Sequence, residues 1–165
     1  MPKKTQDVNK QFNNSMDLKL IRTNANHQDL LDLIHDLDKT LAVTDGEDHA
    51  FYNQYNKLDS IKYVVVAYYK DQPIGCGAIK IFDEKNMEIK RMFVREEARG
   101  LGIAGEIMKA LETWTQELGY NQCILETGKR QKSAIRLYEK SGYNRMTNYG
   151  QYSGVKDSYC FKKSI

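Results

Sequence analysis

Hydrophobic positions along this chain change period several times. Residues 17–22 (DLKLIR) alternate apolar and polar side chains, as a half-buried strand does. Leu30, Ile34, Leu37 and Leu41 then recur at helical spacing, with Asp29, Asp32 and Asp36 on the other side as a solvated face. The segment 44–48 (TDGED) breaks that helix, and a short second helix is predicted over 50–58. Residues 63–69 (YVVVAYY) carry the strongest strand signal, being dense in β-branched and aromatic side chains. Asp71, Gln72 and Pro73 supply turn chemistry, 74–82 continue as a strand, 83–86 turn again, and a third strand covers 87–94. Such short turns between consecutive strands predict an antiparallel meander.

Helical spacing returns with Ile103, Ile107, Leu111, Trp114 and Leu118, and Gly119 stands where a helix C-cap glycine belongs. A strand at 122–126, a helix at 131–140 closed by Gly142, and strands at 143–147 and 155–162 complete the reading. Strand–helix–strand crossovers turn the sheet parallel in this half. The expected fold is α/β: one domain over 17–165, with helices on both faces of a mixed, mostly antiparallel sheet of about seven strands. A polar tail, poorly ordered, is predicted at 1–16.

Composition narrows the class. With 165 residues, 41% hydrophobic and 28% charged, the chain has the make-up of a globular domain. A net charge of +3 suits a small anionic ligand and gives no nucleic-acid footprint. No apolar run reaches a membrane span and no secretory signal opens the chain, so a cytoplasmic location is expected. Cys76, Cys123 and Cys160 lack metal or disulfide spacing and read as small core residues. His27, His35 and His49 likewise show no metal-ligand spacing and read as surface or capping residues; no metal is expected.

The most informative segment is 99–105, RGLGIAG, at the start of the amphipathic helix. Glycines there let backbone N–H groups approach a phosphate, and the helix dipole favours its charge. A P-loop is excluded, because Glu106 and Ile107 stand where Lys and Ser/Thr must follow. A dinucleotide fingerprint is matched by Gly100, Gly102 and Gly105, with Glu126 near the ribose-binding distance. Against it stand the polar residues of the preceding strand (Glu88, Lys90, Arg91) and the antiparallel meander upstream. In the third reading, Arg99-Gly100-Leu101-Gly102-Ile103-Ala104 resembles the Q/R-x-x-G-x-G/A pyrophosphate motif of the GNAT superfamily of N-acetyltransferases. A second segment, 134–143 (AIRLYEKSGY), resembles that family's A-x-x-L-Y-x-x-x-G-F/Y signature.

The resemblance implies that acetyl-CoA lies between two splayed strands as co-substrate. Met92, Phe93 and Val94 would pair with its pantetheine arm, and Arg99, Gly100, Leu101, Gly102, Ile103 and Ala104 would hold its pyrophosphate. The Phe93 N–H would act as oxyanion donor. Tyr138 occupies the family's position for the phenol that serves the departing thiolate. Gln131 stands where an Asn commonly contacts the cofactor, one methylene longer. An alkyl amine of pKa about 10.4 is almost wholly protonated near pH 7, a handicap of roughly 4–5 kcal/mol, so a base, or an acceptor of low pKa, is required. Glu88 is the candidate, placed by strand alternation on one face with Lys90 and Met92; pairing with a neighbouring cation or facing solvent is the competing reading, and some members of the resembled family use a water chain instead. For Tyr138 the competing reading is a packing tyrosine beside Ala134 and Leu137. The strand end Glu126-Thr127-Gly128 is where acceptor contacts often sit, or a plain turn. Tyr143, Tyr149, Tyr152 and Tyr159 read chiefly as strand packing. The stretch 126–143 with NYGQY beyond resembles a small-molecule branch, so the expected partner is a small amine, with no nucleic acid or membrane; an unpaired edge strand would permit a homodimer. Alternatives are a non-catalytic acyl-CoA-binding module and, less well matched, a dinucleotide-binding oxidoreductase fragment.

Overall fold

The computed structural model describes residues 17–53 and 61–165. The predicted tail and residues 54–58 of the short second helix lie outside the described residues. The elements are β1 (Leu18–Thr23), α1 (Gln28–Asp45), α2 (His49–Asn53), β2 (Tyr63–Tyr69), β3 (Gln72–Ile81), β4 (Asn86–Val94), α3 (Ile103–Glu117), β5 (Gln122–Gly128), α4 (Lys132–Lys140), β6 (Asn144–Met146) and β7 (Ser158–Ser164). The seven strands form a sheet in the order β1-β2-β3-β4-β5-β7-β6.

The meander is present, with β1 to β4 antiparallel in sequence. Its first hairpin turns one residue earlier than the sequence suggests. Tyr69 pairs with Gln72, so Lys70 and Asp71 form the turn, both at positive φ (48° and 63°). Positive φ at both central residues is the geometry that matches strand twist in a two-residue hairpin. Pro73 sits within β3 opposite Tyr68, where the register shifts and a missing donor is tolerated.

The parallel half is smaller than the crossovers predict. Among the described residues, only β4 and β5 run parallel, over the pairs Asn86–Gln122 to Glu88–Ile124. The pairs β5–β7 and β6–β7 are antiparallel, because the last strand inserts between β5 and β6. A dinucleotide unit requires a run of parallel strands, which this sheet does not provide.

Alternation along β2 sorts the two faces. Val64 and Val66 meet Leu30, Leu33, Ile34 and Leu37 of α1, while Val65 and Ala67 join the core under Ile103, Ile107 and Leu111 of α3. Burial of each such Val, Leu or Ile side chain stabilises the fold by about 1.5–3 kcal/mol. The three cysteines are buried and unpaired, as expected of core residues. His27 sits at the N-cap of α1 without a side-chain cap bond, and its Nδ1 is buried with no partner among the described residues.

The acidic face of α1 is not simply solvated. Tyr68 donates to Asp29, Arg95 pairs with Asp36, and Arg91 Nη2 donates to Asp38 Oδ1 at 2.6 Å. The cations come from β4 and its end, so α1 is held to the sheet by charge as well as by leucines. Among the described residues, no helix is long and apolar enough to cross a membrane.

Candidate active site

The site arises where β4 and β5 part. Their pairing stops at Glu88–Ile124, although β4 continues to Val94 and β5 to Gly128. The cause of the parting lies in β4. Cys76 faces Phe93 but Ala78 faces Lys90, so Gly77 stands opposite two residues, and Arg91 takes φ +59°. This bulge bends the strand and increases its twist. It also corrects the expected alternation: Glu88 and Lys90 share a face, but Met92 is turned to the α3 face. A Cβ added at Gly77 would lie 2.5 Å from Met92 Sδ and 2.9 Å from atoms of Ile107 and Leu111. Two glycines inside β3, Gly75 and Gly77, were the available sequence signal, since an isolated glycine in a strand marks a bulge or close approach.

Between the parted strands and the loop before α3 runs a groove of about 740 Å³. Its walls include Met92, Phe93, Val94, Arg99, Gly100, Gly102, Ile103, Ala104, Gln131 and Tyr138, nearly the whole expected cofactor set. Leu101 does not line it; its side chain packs against the core under α3. Gly100 and Gly102 hold φ of 78° and 80°, and an added Cβ at either would meet nothing within 4 Å. Close helix packing therefore does not explain these glycines. Their positive φ shapes the turn, and their bare backbone faces open space. The first helical bond of α3 runs from Glu106 N–H to Gly102 O at 3.2 Å, which leaves the preceding amides at the positive end of the dipole without helical acceptors. Arg99 is exposed at the groove edge and steadied by its Nε bond to Val94 O at 2.9 Å. Gln131 is at the N-cap of α4, and its amide is 3.3 Å from Asp45 Oδ1, so it ties the end of α1 over the groove.

A second, smaller cavity of about 60 Å³ adjoins the groove, lined by Glu88, Lys90, Arg91, Glu126, Tyr138 and Tyr152 among others. Tyr138 lines both spaces, and its ring is held between Tyr143 and Phe161 with centroids 6.2 and 6.1 Å away. Burial, assisted by the nearby charge of Glu126, raises its phenol above the ordinary 10, so it stays protonated.

Glu88 is neither solvated nor free. It is buried, accepts the Tyr149 hydroxyl at 2.5 Å, and lies 3.4 Å from Lys90 Nζ. Burial and the adjacent Glu88 charge hold the Tyr149 phenol protonated. Tyr149 and Tyr152 lie outside the strands, pack with Tyr52 and Ile124 on the α1 face, and Tyr152 also lines the small cavity. The sequence reading missed the state of Glu126. Burial, first of all, lifts its carboxyl to about 7, and Oε1 has no hydrogen-bond partner among the described residues. No group of His, Cys, Asp and Glu among the described residues could hold a metal ion.

The comparisons agree with this geometry. The sequence model of the acetyltransferase (GNAT) family matches residues 30–143. The IAA acetyltransferase of Azospirillum brasilense is 39% identical over 80 residues, 48% of this chain and 52% of that protein. Probable N-acetyltransferase family 8 member 5 of Mus musculus is 33% identical over 87 residues, 53% of this chain and 35% of that protein. The chain thus spans about half or less of these curated relatives. A Klebsiella pneumoniae structure assigned to the acyl-CoA N-acyltransferases superposes with a TM-score of 0.76 at 22% identity, covering 90% of this chain and 97% of that one. A GNAT family acetyltransferase from Elizabethkingia anophelis with acetyl-CoA bound gives 0.67 at 20% identity, covering 90% and 99%. With its glycine loop, split strands and full sheet order in place, the chain belongs to the acetyltransferase (GNAT) family.

Proposed function

We propose that residues 17–165 are a catalytic domain that moves an acetyl group from acetyl-CoA to a primary amine of a small metabolite, by direct attack in a ternary complex. The observation that carries this reading is Tyr138 at the junction of two spaces. On one side lies a groove ending in bare, dipole-facing amides, suited to a pyrophosphate. On the other lies a polar cavity with two carboxylates, suited to an amine. The groove's 740 Å³ is in the range of small-molecule sites.

Pantetheine would run along the freed edge of β4 at Met92, Phe93 and Val94, with the Phe93 N–H stabilising the thioester oxygen as negative charge develops. Gly100 to Ala104 and Arg99 would take the pyrophosphate. Tyr138 would donate to the departing sulfur. Glu88 and Glu126 define the acceptor end and favour a cationic or polar amine over an apolar one.

The loop's part is checked by Gly102→Val. A β-branched residue at φ 80° costs about 1–2 kcal/mol of strain and covers the open backbone. Affinity for acetyl-CoA is expected to fall about tenfold or more, at that same energy, as read by titration calorimetry. Function itself is tested by release of CoA thiol from acetyl-CoA with spermidine, phenethylamine, glycine or a lysine-containing peptide. Turnover with one of the small amines supports the reading. Turnover with the peptide alone would move the acceptor to proteins, and no turnover with any of them would leave the non-catalytic acyl-CoA-binding alternative.

A further inference from the structure

We propose that Glu126, rather than Glu88, is the base that takes the acceptor's proton, and that this proton leaves through Tyr138 to the CoA sulfur. The inference rests on the acetyltransfer reading above and names a catalytic residue within it. Geometry separates the two carboxylates. Glu88 already accepts from Tyr149 on one carboxylate oxygen at 2.5 Å and has Lys90 Nζ 3.4 Å from the other, so each of its oxygens has a partner. Glu126, two residues before the end of β5, lines the small cavity together with Tyr138 and keeps Oε1 without any partner among the described residues. A buried acceptor atom left unpaired is costly and is retained where a function uses it.

The surroundings are acidic. Glu88 and Lys90 face it from β4, Asp45 from α1, Tyr52 from α2, Tyr138 from α4, Tyr152 from the turn at Gly150–Tyr152, and Ser158 and Cys160 from β7. Lys90 and the Ser158 bond favour the ionised form, and Arg91 lines the same cavity with its guanidinium paired to Asp38, but burial outweighs them and places the carboxyl at about 7. A base of that pKa is half ionised at neutral pH, near the optimum for general-base work.

The step balances. The amine nitrogen forms the C–N bond to the thioester carbonyl carbon, and its N–H proton passes to the Glu126 carboxylate. The C–S bond breaks with its electron pair on sulfur. Sulfur takes the Tyr138 phenol proton as Tyr138 receives the one held by Glu126, and both residues return to their starting states. Transfer from an acid near 7 to a thiolate whose conjugate pKa is about 8.5 runs downhill overall. This answers why a phenol raised above 10 can still serve the leaving group: it hands on a proton it does not have to supply.

Two measurements on the full chain decide the matter. In protein labelled with carbon-13 at glutamate carboxyls, one resonance should titrate near pH 7, vanish in Glu126→Gln and persist in Glu88→Gln. In steady-state assays with the fastest of the small amines named above, kcat should break near pH 7 and fall on the acid side, because only the ionised carboxylate accepts a proton. Glu126→Gln should lose that break and about 100-fold in kcat, Glu126→Asp should recover part of the rate, and Glu88→Gln should keep the break. A break retained in Glu126→Gln, or a titration lost in Glu88→Gln instead, overturns the assignment to Glu126 alone. Absence of turnover with every amine overturns it together with the acetyltransfer reading beneath it.

Discussion

Tyr138→Phe is expected to lower kcat by about 100- to 1,000-fold, roughly 3–4 kcal/mol of barrier, while acetyl-CoA binding and stability change little. The ring would remain between Tyr143 and Phe161, so the packing that positions α4 is kept. What is lost is the Tyr138 O–H at the junction of groove and cavity. Because the effect falls on a proton delivered in the chemical step, it should appear in kcat and not in the affinity for acetyl-CoA. Steady-state kinetics with calorimetric acetyl-CoA binding separates the two. An unchanged kcat would make Tyr138 a packing residue and favour a module that binds acyl-CoA without transferring its acyl group.

Asp38→Ala is expected to destabilise the fold by about 3 kcal/mol, more than Arg91→Met does. The Arg91 side chain is only 2% exposed and its charge is paired with Asp38 at 2.6 Å. Its Nε and Nη1 are buried without partners among the described residues. Removing Asp38 leaves a buried guanidinium with its ion pair gone, whereas Arg91→Met removes the charge along with the need for a partner. Methionine inherits the same φ of +59°, so backbone strain is equal in wild type and variant. Denaturant unfolding of the two variants reads the difference. If Arg91→Met costs the more, the bulge is held by the guanidinium's packing and not by the ion pair. Since the bulge parts β4 from β5, Asp38→Ala should also weaken acetyl-CoA binding, although Asp38 lies outside the groove.

How much of this was legible in the sequence follows from the range of the interactions involved. The strand at Tyr63–Tyr69 is read to the residue, because a run of β-branched and aromatic side chains decides it locally. The helix Ile103–Glu117 is bracketed by Gly102 and Gly119, both at positive φ, which is again local chemistry. The glycine loop and Tyr138 meet at one groove, as the two motifs imply. The bulge at Arg91 was not legible from β4, since nothing in EIKRMFV marks a positive φ; its trace is on the partner strand, in Gly77. Without it, simple alternation puts Met92 on the wrong face. The acidic side of α1 looks solvated in isolation, and its cations on β4 are more than 50 residues away, as the Arg91–Asp38 separation of 53 shows. The state of Glu126 is set by burial between α1, β4 and β7, a product of assembly that no single segment contains.

The central claim is that the groove between β4 and β5 takes acetyl-CoA. Thermal unfolding of the full chain with and without acetyl-CoA, with NADH as control, tests it most directly. A ligand at about 100 times its Kd adds about 2.7 kcal/mol to the folded state, or roughly 5–11 °C in Tm for a domain of this size. The account predicts a saturable rise of that order with acetyl-CoA, none with NADH, and a weakened response in Gly102→Val. A rise with NADH and none with acetyl-CoA would contradict the account of the groove and the mechanism built on it.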